Sequence, residues 1–287
     1  MRELYLLDGS SYVYRAFHAL PRLSTKDGVP TGAVYGFTRM ILSLINKKKI
    51  KYMGICLDTG APTFRHQEFP DYKVSRPPMP EELRPQLPKI REVVEAFNLT
   101  CFEKEGYEAD DILATLACKA EDKYDKIILV SSDKDILQVV TETINVLNPF
   151  HSEGLFNPQK VKKTLGVLPE KVPDLLALIG DTIDNIPGIS GIGKKTASKL
   201  LNEFGSVENV IAYKEKIKRQ KIRENIERNS SNVLKNKRLT TLSKTVPMDV
   251  NWEELYLKSP DWSRLKKIFE ILGFKKFLRE LEPTLFS

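Results

Sequence analysis

Histidine and cysteine are scarce in this 287-residue chain, with three of each, widely spaced: His18, His66 and His151; Cys56, Cys101 and Cys118. An odd number of scattered cysteines argues against a disulfide framework and suits reduced thiols in a cytosolic protein. So few histidines give no basis for a His-based zinc site. No apolar run approaches the roughly 18 residues that a membrane span requires. The opening residues, MRELYLLDGSS, meet charge at once and hold no long apolar segment, so a secretory signal is not expected. Internal repeats and low-complexity tracts are also missing. With 41% hydrophobic and 9% aromatic residues, the chain is too apolar for disorder. Its length suits two domains, or one large domain with an appendage.

What the chain does carry is charge, unevenly placed. The formal net charge is +7. Residues 186–250 hold 14 Lys and Arg against 6 Asp and Glu, a net +8, while the remainder nets −1. A concentrated basic region suggests a polyanionic partner, nucleic acid first, with a solvated helical surface as the competing reading.

The first half alternates apolar runs with helical periodicity. LYLL (4–7), YMGICL (52–57) and KIILVSS (126–132) read as strands. Between them, helical patterns run through Tyr12–Ala19, Val34–Leu44, residues 90–97 and Asp110–Ala120. This alternation predicts an α/β fold with a mostly parallel central sheet flanked by helices. Residues 70–88 contain six prolines (Pro70, Pro77, Pro78, Pro80, Pro85, Pro88) together with Lys73, Arg76 and Arg84. So much proline opposes continuous helix and predicts a long mobile loop or partly helical flap. Beyond about residue 165 the strand signals fade. The chain becomes helical and basic, and 265–282 reads as a closing amphipathic helix. The expected division is therefore 1–164 and 165–287.

Each predicted strand ends in a carboxylate: Asp8, Asp58, and Asp133 with Asp135. Parallel strands bring such ends together, at the edge where open α/β sheets bind ligands. YEADDILATLA adds Glu108, Asp110 and Asp111 at a helix start, and GDTIDN adds Asp181 and Asp184 at i, i+3. Any one of these acids is adequately explained as a cap or turn residue. Nine of them converging would repel one another unless a cation intervened. Hard oxygen donors without His or Cys suit Mg²⁺ or Mn²⁺, and nine could hold two ions.

GISGIGKK (188–195) nearly matches a phosphate-binding P-loop, but Lys195 stands where Ser or Thr is needed and no strand precedes it. A tight hairpin between helices fits better. Gly191 and Gly193 would let backbone approach a phosphate, and Lys194, Lys195 and Thr196 would open the following helix. Such backbone contacts hold DNA without reading its sequence.

The segments LYLLDGSSYVYRAFHAL, LDTGAPTFRHQEFPDYKVSRPPMPEEL, YEADDILATLA, LVSSDKDILQVV and GDTIDNIPGISGIGKKTA, in this order, resemble the 5′-nuclease family. That family comprises the 5′→3′ exonuclease domain of bacterial DNA polymerase I and the flap endonucleases, and the resemblance spans about residues 1–285. It implies a PIN-like core with an arch at about 66–92, and a helix–hairpin–helix at about 183–203 within the C-terminal domain. It implies metal-dependent cleavage near 5′ single-strand/duplex junctions, in primer removal and DNA repair. Branched or nicked duplex DNA would be the partner, RNA–DNA primers included, for a monomeric, cytoplasmic, nucleoid-associated enzyme with no membrane role. Asp8, Asp58, Glu108 and Asp110, with Asp111 close by, match positions around a first metal ion. Asp133, Asp135, Asp181 and Asp184 match those around a second. Lys73 and Arg76 match phosphate-contacting residues, Arg15 a basic residue near the scissile phosphate, and Tyr72 an aromatic that stacks on a base. Asp58 and Asp135 are the acids on which catalysis is expected to depend most visibly, and Arg84 is expected to help order the 5′ strand. The resemblance also implies K⁺ bound by backbone carbonyls at the hairpin. Two departures stand out. Ile183 replaces the Ser common between the paired acids, and no polymerase follows, as in a stand-alone nuclease or a fragment of a longer chain. A non-catalytic DNA-structure binder is the rival from another class. An aspartate-based phosphatase ranks below it, because Ser10 stands where its second Asp would be.

Overall fold

A run such as ELYLLD, buried along nearly its whole length, belongs in the middle of a sheet covered on both faces. The computed structural model, which describes residues 1–48, 50–150 and 154–285, places it there. The chain begins β1 (Glu3–Asp8), α1 (Gly9–Ala19), α2 (Gly32–Lys48), β2 (Tyr52–Cys56), α3 (Phe64–Glu68), α4 (Gln86–Ala96) and β3 (Thr100–Phe102). It continues α5 (Ala109–Ala120), β4 (Lys126–Val130), β5 (Ile144–Leu147), β6 (Leu155–Phe156) and α6 (Pro158–Leu165). Then come α7 (Val172–Ile179), α8 (Lys194–Phe204), α9 (Val207–Ala212), α10 (Gln220–Arg228), α11 (Ser230–Thr240), α12 (Trp262–Leu272) and α13 (Lys275–Leu285). His151 lies outside the described residues. Among the described residues no helix is long and apolar enough to cross a membrane.

The sheet order is β3-β2-β1-β4-β5-β6, parallel throughout except for the antiparallel β5–β6 pair. The order reverses between β1 and β4, so the crevice beyond their carboxyl ends is the natural ligand site of such a sheet. Alternation along β1 sends Leu4 and Leu6 into one layer with Ile112, Leu113 and Leu116 of α5. Tyr5 and Leu7 enter the other, with Tyr12, Val13 and Phe37 of α1 and α2. Each fully buried aliphatic side chain contributes roughly 1.5–3 kcal/mol. Two such layers offset a crowd of charges at one end of the sheet.

Residues 70–88, expected as a long mobile loop or partly helical flap, run through turns to Pro85 and then enter α4 at Gln86. Pro88 sits in the first turn of α4, where a proline costs no helical hydrogen bond, and Leu83 and Gln86 are buried. Gln86 Oε1 accepts from Ala33 N at 2.8 Å, tying α4 to the start of α2. The closing helix is two helices, because Gly273 (φ +70°) ends α12 in the left-handed conformation. Both pack with α2 and α4 in the sheet's second layer, through Leu265, Phe269, Phe274 and Phe277. Asp261 N also donates to Ala96 O at 2.7 Å. Residues beyond about 257 therefore belong with the α/β part rather than with the basic helices. The first helix before the hairpin is α7, which ends at Ile179, upstream of the expected start of the motif at about 183.

Gly9 is the tightest joint near the sheet's carboxyl end. A Cβ there would meet Leu57 Cδ2 at 2.6 Å and Ile55 Cγ2 at 2.7 Å. Gly9→Ala is therefore expected to destabilise the fold by about 1–3 kcal/mol, read as a lower midpoint in urea unfolding. An unchanged midpoint would refute the close packing of α1 on β2.

Candidate metal centre

The acids at the strand ends are held by the ends of the neighbouring helices. Asp8, the last residue of β1, caps α1, its Oδ1 accepting from Ser11 N at 2.9 Å. Its Oδ2 accepts from Ser131 Oγ, just past β4, at 2.8 Å. Asp58, two residues past β2, accepts from Ala109 N, the first residue of α5, at 2.7 Å. Asp133 accepts from Asp135 N at 2.8 Å, which folds the turn after β4 back on itself. α5 thus carries Asp110 to where β1, β2 and β4 end.

Burial and neighbouring carboxylate charges raise the proton affinity of Asp8, Asp110, Asp133 and Asp135. Burial, then the charges of Asp58 and Asp133, push the Asp8 carboxyl up to about 6 against hydrogen bonds that oppose it. Burial, followed by Asp8, Asp133, Asp58 and Glu108, pushes Asp110 well above the usual carboxylate range. Burial and Asp133 do the same to Asp135. Asp133 is also raised, by burial first. Two buried carboxylate oxygens, Asp110 Oδ1 and Asp135 Oδ1, accept no hydrogen bond. Buried acceptors are almost always satisfied, so two orphans at one end of a sheet need explaining. An all-oxygen donor set with unpartnered buried oxygens fits a hard divalent cation.

The outer acids are differently placed, because each has a cation. Lys73 pairs with Glu108 and Arg76 with Asp184. Lys134 Nζ meets Asp181 Oδ2 at 2.7 Å. Burial works to raise Asp181, but Lys134 outweighs it and the carboxyl sits below its usual value. Among the described residues no three His, Cys, Asp or Glu side chains are already gathered closely enough to hold an ion. The inner acids repel one another, and Glu108 and Asp184 are engaged with the turn at 72–76.

That turn is pinned to the loop carrying the last pair of acids. Lys73 N donates to Asp184 O at 3.0 Å, and Asn185 Nδ2 to Asp71 O at 2.9 Å. Lys73 and Asn185 both adopt left-handed backbone, φ +59° and +58°, an uncommon conformation held by these contacts. The loop itself turns back through Gly180 and Gly188, where a Cβ on Gly188 would lie 2.1 Å from Ile179 O.

Three sequence expectations need correction. Asp111 is fully buried, and its oxygens accept from Arg65 twice (2.6 and 2.8 Å), from Glu108 N (3.1 Å) and from Ser243 N (2.8 Å). Its acceptor capacity is taken up by these four hydrogen bonds, and it serves as the counter-ion of Arg65. Tyr72 is 4% exposed and donates its hydroxyl between Glu108 Oε2 (3.1 Å) and Asp184 Oδ2 (3.3 Å), so its ring is not free to stack on a base. The turn at 72–76, within the stretch where an arch is expected, is closed against the acids. Arg15 lies on the exposed face of α1 with its guanidinium 3.5 Å from the Phe150 ring centroid, and Arg84 is exposed in the turn before α4. Neither forms an ion pair with the acids among the described residues. Ile183 is 66% exposed, and its backbone N–H, not its side chain, serves Asp181 (2.9 Å).

Sequence reasoning missed Arg65 altogether. It is the largest fully buried side chain among the described residues, and a lone arginine in a polar stretch carries no sequence signal for burial. The hairpin stands where expected: Ile189 and Ile192 are buried, while Gly191, Gly193, Lys194 and Lys195 are exposed and Thr196 is half-buried at the start of α8. Nothing crowds a Cβ at Gly193, so the backbone there is open to approach. A cavity of about 650 Å³ bordered by Phe64, Tyr107, Leu234, Arg238 and Leu242 is lined by none of the candidate ligands. Shape alone does not single out the acidic site; its electrostatics do.

Comparison with known proteins adds to this geometry. Residues 3–166 match the family model "5′-3′ exonuclease, N-terminal resolvase-like domain", and residues 167–263 match "5′-3′ exonuclease, C-terminal SAM fold". A 5′-3′ exonuclease of Aquifex aeolicus is 43% identical over 282 residues, covering 98% of this chain and 96% of that protein. DNA polymerase I of Bacillus caldotenax is 38% identical over 286 residues, and this chain spans 32% of its length. Among solved structures, T5 5′-exonuclease with bound zinc superposes with a TM-score of 0.71 at 24% identity, covering 83% of this chain and 89% of that one. The catalytic core of Rad2 with DNA substrate superposes with 0.63 at 18% identity, covering 94% and 87%.

The buried charges generate a stability prediction. A carboxyl whose folded pKa lies above its unfolded value binds its proton more tightly when folded. Its charge therefore costs stability above the folded pKa, and the cost fades as pH falls through that value. Asp110→Asn should raise the melting temperature in EDTA at pH 8, by about 2–4 °C for each kcal/mol relieved, and by less at pH 5. An equal or lower melting temperature at pH 8 would contradict the buried charge.

Proposed function

The chain belongs to the 5′→3′ exonuclease family, and on that premise we propose that it is a metal-dependent, structure-selective 5′ nuclease. It cuts phosphodiester bonds near 5′ single-strand/duplex junctions, as a flap endonuclease and 5′→3′ exonuclease. The observation that carries this reading is the cluster of buried, mutually repelling carboxylates, with orphaned oxygens on Asp110 and Asp135, at the sheet's switch point. The zinc of the T5 enzyme and the DNA of the Rad2 complex support it by analogy of fold.

In this reading Asp8, Asp58, Glu108 and Asp110 hold one Mg²⁺ or Mn²⁺ ion, and Asp133, Asp135, Asp181 and Asp184 hold another, some of them through water. Bound there, the ions supply an activated water and neutralise charge on the scissile phosphate and leaving oxygen. Lys73 and Arg76, already beside Glu108 and Asp184, stabilise the charge that the phosphate develops. Arg15 and Arg84, which form no ion pair with an acid among the described residues, guide the 5′ strand. The hairpin at Gly191–Thr196 grips duplex DNA through phosphates, with Lys194 and Lys195 exposed beside it. The boundary between the nuclease part and the DNA-gripping helices lies near residue 165, with α12 and α13 returning to the nuclease part. A monomer acting in the cytoplasm on nicked or branched DNA, RNA-primed strands included, completes the proposal, with K⁺ at the hairpin.

A labelled 5′-flap duplex with Mg²⁺ and with EDTA tests it. Cleavage in Mg²⁺ alone is expected, and intact DNA in both would overturn the reading in favour of a binder. Asp135→Ala should reduce cleavage by at least about 100-fold, at the upper end of the loss seen when a mere outer partner of a metal ligand is removed. It should spare DNA affinity in EDTA, and wild-type cutting by this variant would sink the metal assignment. Replacing Lys194 and Lys195 together by Ala should weaken binding equally for all sequences and flatten the slope of log K against log salt by about 2. A changed sequence preference would count against the hairpin.

A further inference from the structure

We propose that Arg65 is a positioning residue for the nuclease reaction. It sets Glu108 for metal binding and ties that setting to the C-terminal turn of α11. The proposal rests on Glu108 being a metal ligand, as argued above.

Arg65 is 1% exposed, and each of its five N–H groups has an acceptor. Nε donates to Leu239 O at 2.8 Å. Nη1 donates to Asp111 Oδ2 at 2.6 Å and reaches Glu108 Oε2 at 3.4 Å. Nη2 donates to Asp111 Oδ1 at 2.8 Å and Thr241 O at 3.0 Å. The Phe64 ring lies 4.5 Å from its Cζ. Such a planar fork, filled on every side, has one orientation. Asp111 neutralises Arg65, and the long reach to Glu108 leaves that carboxylate oriented without being consumed. Glu108 Oε2 is thereby set between Arg65 and Tyr72, and Oε1 faces Lys73.

The two carbonyls that Arg65 holds lie at the end of α11, where helix carbonyls lack intrahelical partners and a cation is favoured. The same turn holds the other acidic motifs. Gln138, in the turn after Asp135, donates to Thr240 O and accepts from Leu242 N, both at 2.9 Å. Asn236 donates to Ala177 O (3.2 Å) and Pro187 O (2.6 Å), which flank the loop carrying Asp181 and Asp184. Three acid-bearing segments that are distant in sequence are thus hung on residues 236–243. Arg65 ties the α5 segment to this turn through Asp111 and Glu108, beside the direct bonds from Ser243 N to Asp111 Oδ1 (2.8 Å) and from Thr115 Oγ1 to Ser243 O (3.1 Å), and α11 lies in the basic region assigned to DNA.

Arg65→Lys keeps the charge but cannot span two carbonyls and a bidentate carboxylate. The test is calorimetric titration of Mn²⁺ into DNA-free wild-type and R65K protein, with circular dichroism to verify the fold and duplex affinity measured in EDTA. We expect Mn²⁺ affinity to fall about 10-fold in R65K while duplex affinity in EDTA stays within about 2-fold. We also expect E108Q to add little to R65K, because both act through one carboxylate. Cleavage by R65K should recover in part at high Mg²⁺. Wild-type Mn²⁺ affinity in R65K, or additive losses in the double variant, would overturn the proposal. If R65K does not fold, Asp111→Asn decides. Freed from its counter-ion, Arg65 should pair more closely with Glu108 and weaken Mn²⁺ binding, and unchanged affinity would overturn the role. Wild-type protein that binds no Mn²⁺ would instead refute the metal site itself.

Discussion

Like charges forced together at the carboxyl ends of three parallel strands are the constraint on which the rest of this structure depends. Asp8, Asp58, Asp110, Asp133 and Asp135 are placed there by strand register and by the start of α5, not by attraction to one another. The protein meets the resulting repulsion in two ways. Hydrogen bonds from helix N-termini and serines satisfy Asp8, Asp58 and Asp133, while two apolar layers on the sheet supply the stability that tolerates the rest. The outer acids Glu108, Asp181 and Asp184 receive Lys73, Lys134 and Arg76. The inner site is thus left hungry for a cation and the outer ring is already balanced.

The same constraint orders the chain beyond the sheet. The loop between α7 and α8 carries Asp181 and Asp184 at one end and the exposed glycines of the hairpin at the other. The hairpin therefore has a short, braced connection to the acids. Asn225 Nδ2 donates to Ser190 O at 2.8 Å and stiffens that connection from α10. The turn at 72–76 is zipped to the loop's near end through Lys73 and Asn185. The braced turn, the acids and the hairpin thus share a single backbone path.

Much of this was legible in the sequence. The three central strands are apolar runs flanked by acids, and a sheet that places strand ends together makes those acids a cluster. The hairpin followed from glycines before a lysine pair. What was hidden depended on long-range partners. Asp111 reads like Asp110 until Arg65 arrives from 46 positions away to claim both its oxygens. Tyr72 and Lys73 read as an exposed loop because proline density opposes helix, yet prolines do not prevent a turn from burying a tyrosine against carboxylates. β5 and β6 are too short and too mixed in pattern to stand out from the surrounding turns. The α12–α13 break rests on one glycine whose left-handed backbone periodicity does not reveal.

The central claim is that the inner carboxylates form the metal centre of a 5′ nuclease. The most direct measurement is an anomalous difference map from crystals of the protein grown with Mn²⁺. The account predicts density among Asp8, Asp58, Asp110, Asp133 and Asp135, at the carboxyl ends of β1, β2 and β4. Manganese bound only elsewhere on the molecule, with those carboxylates unligated, would contradict it.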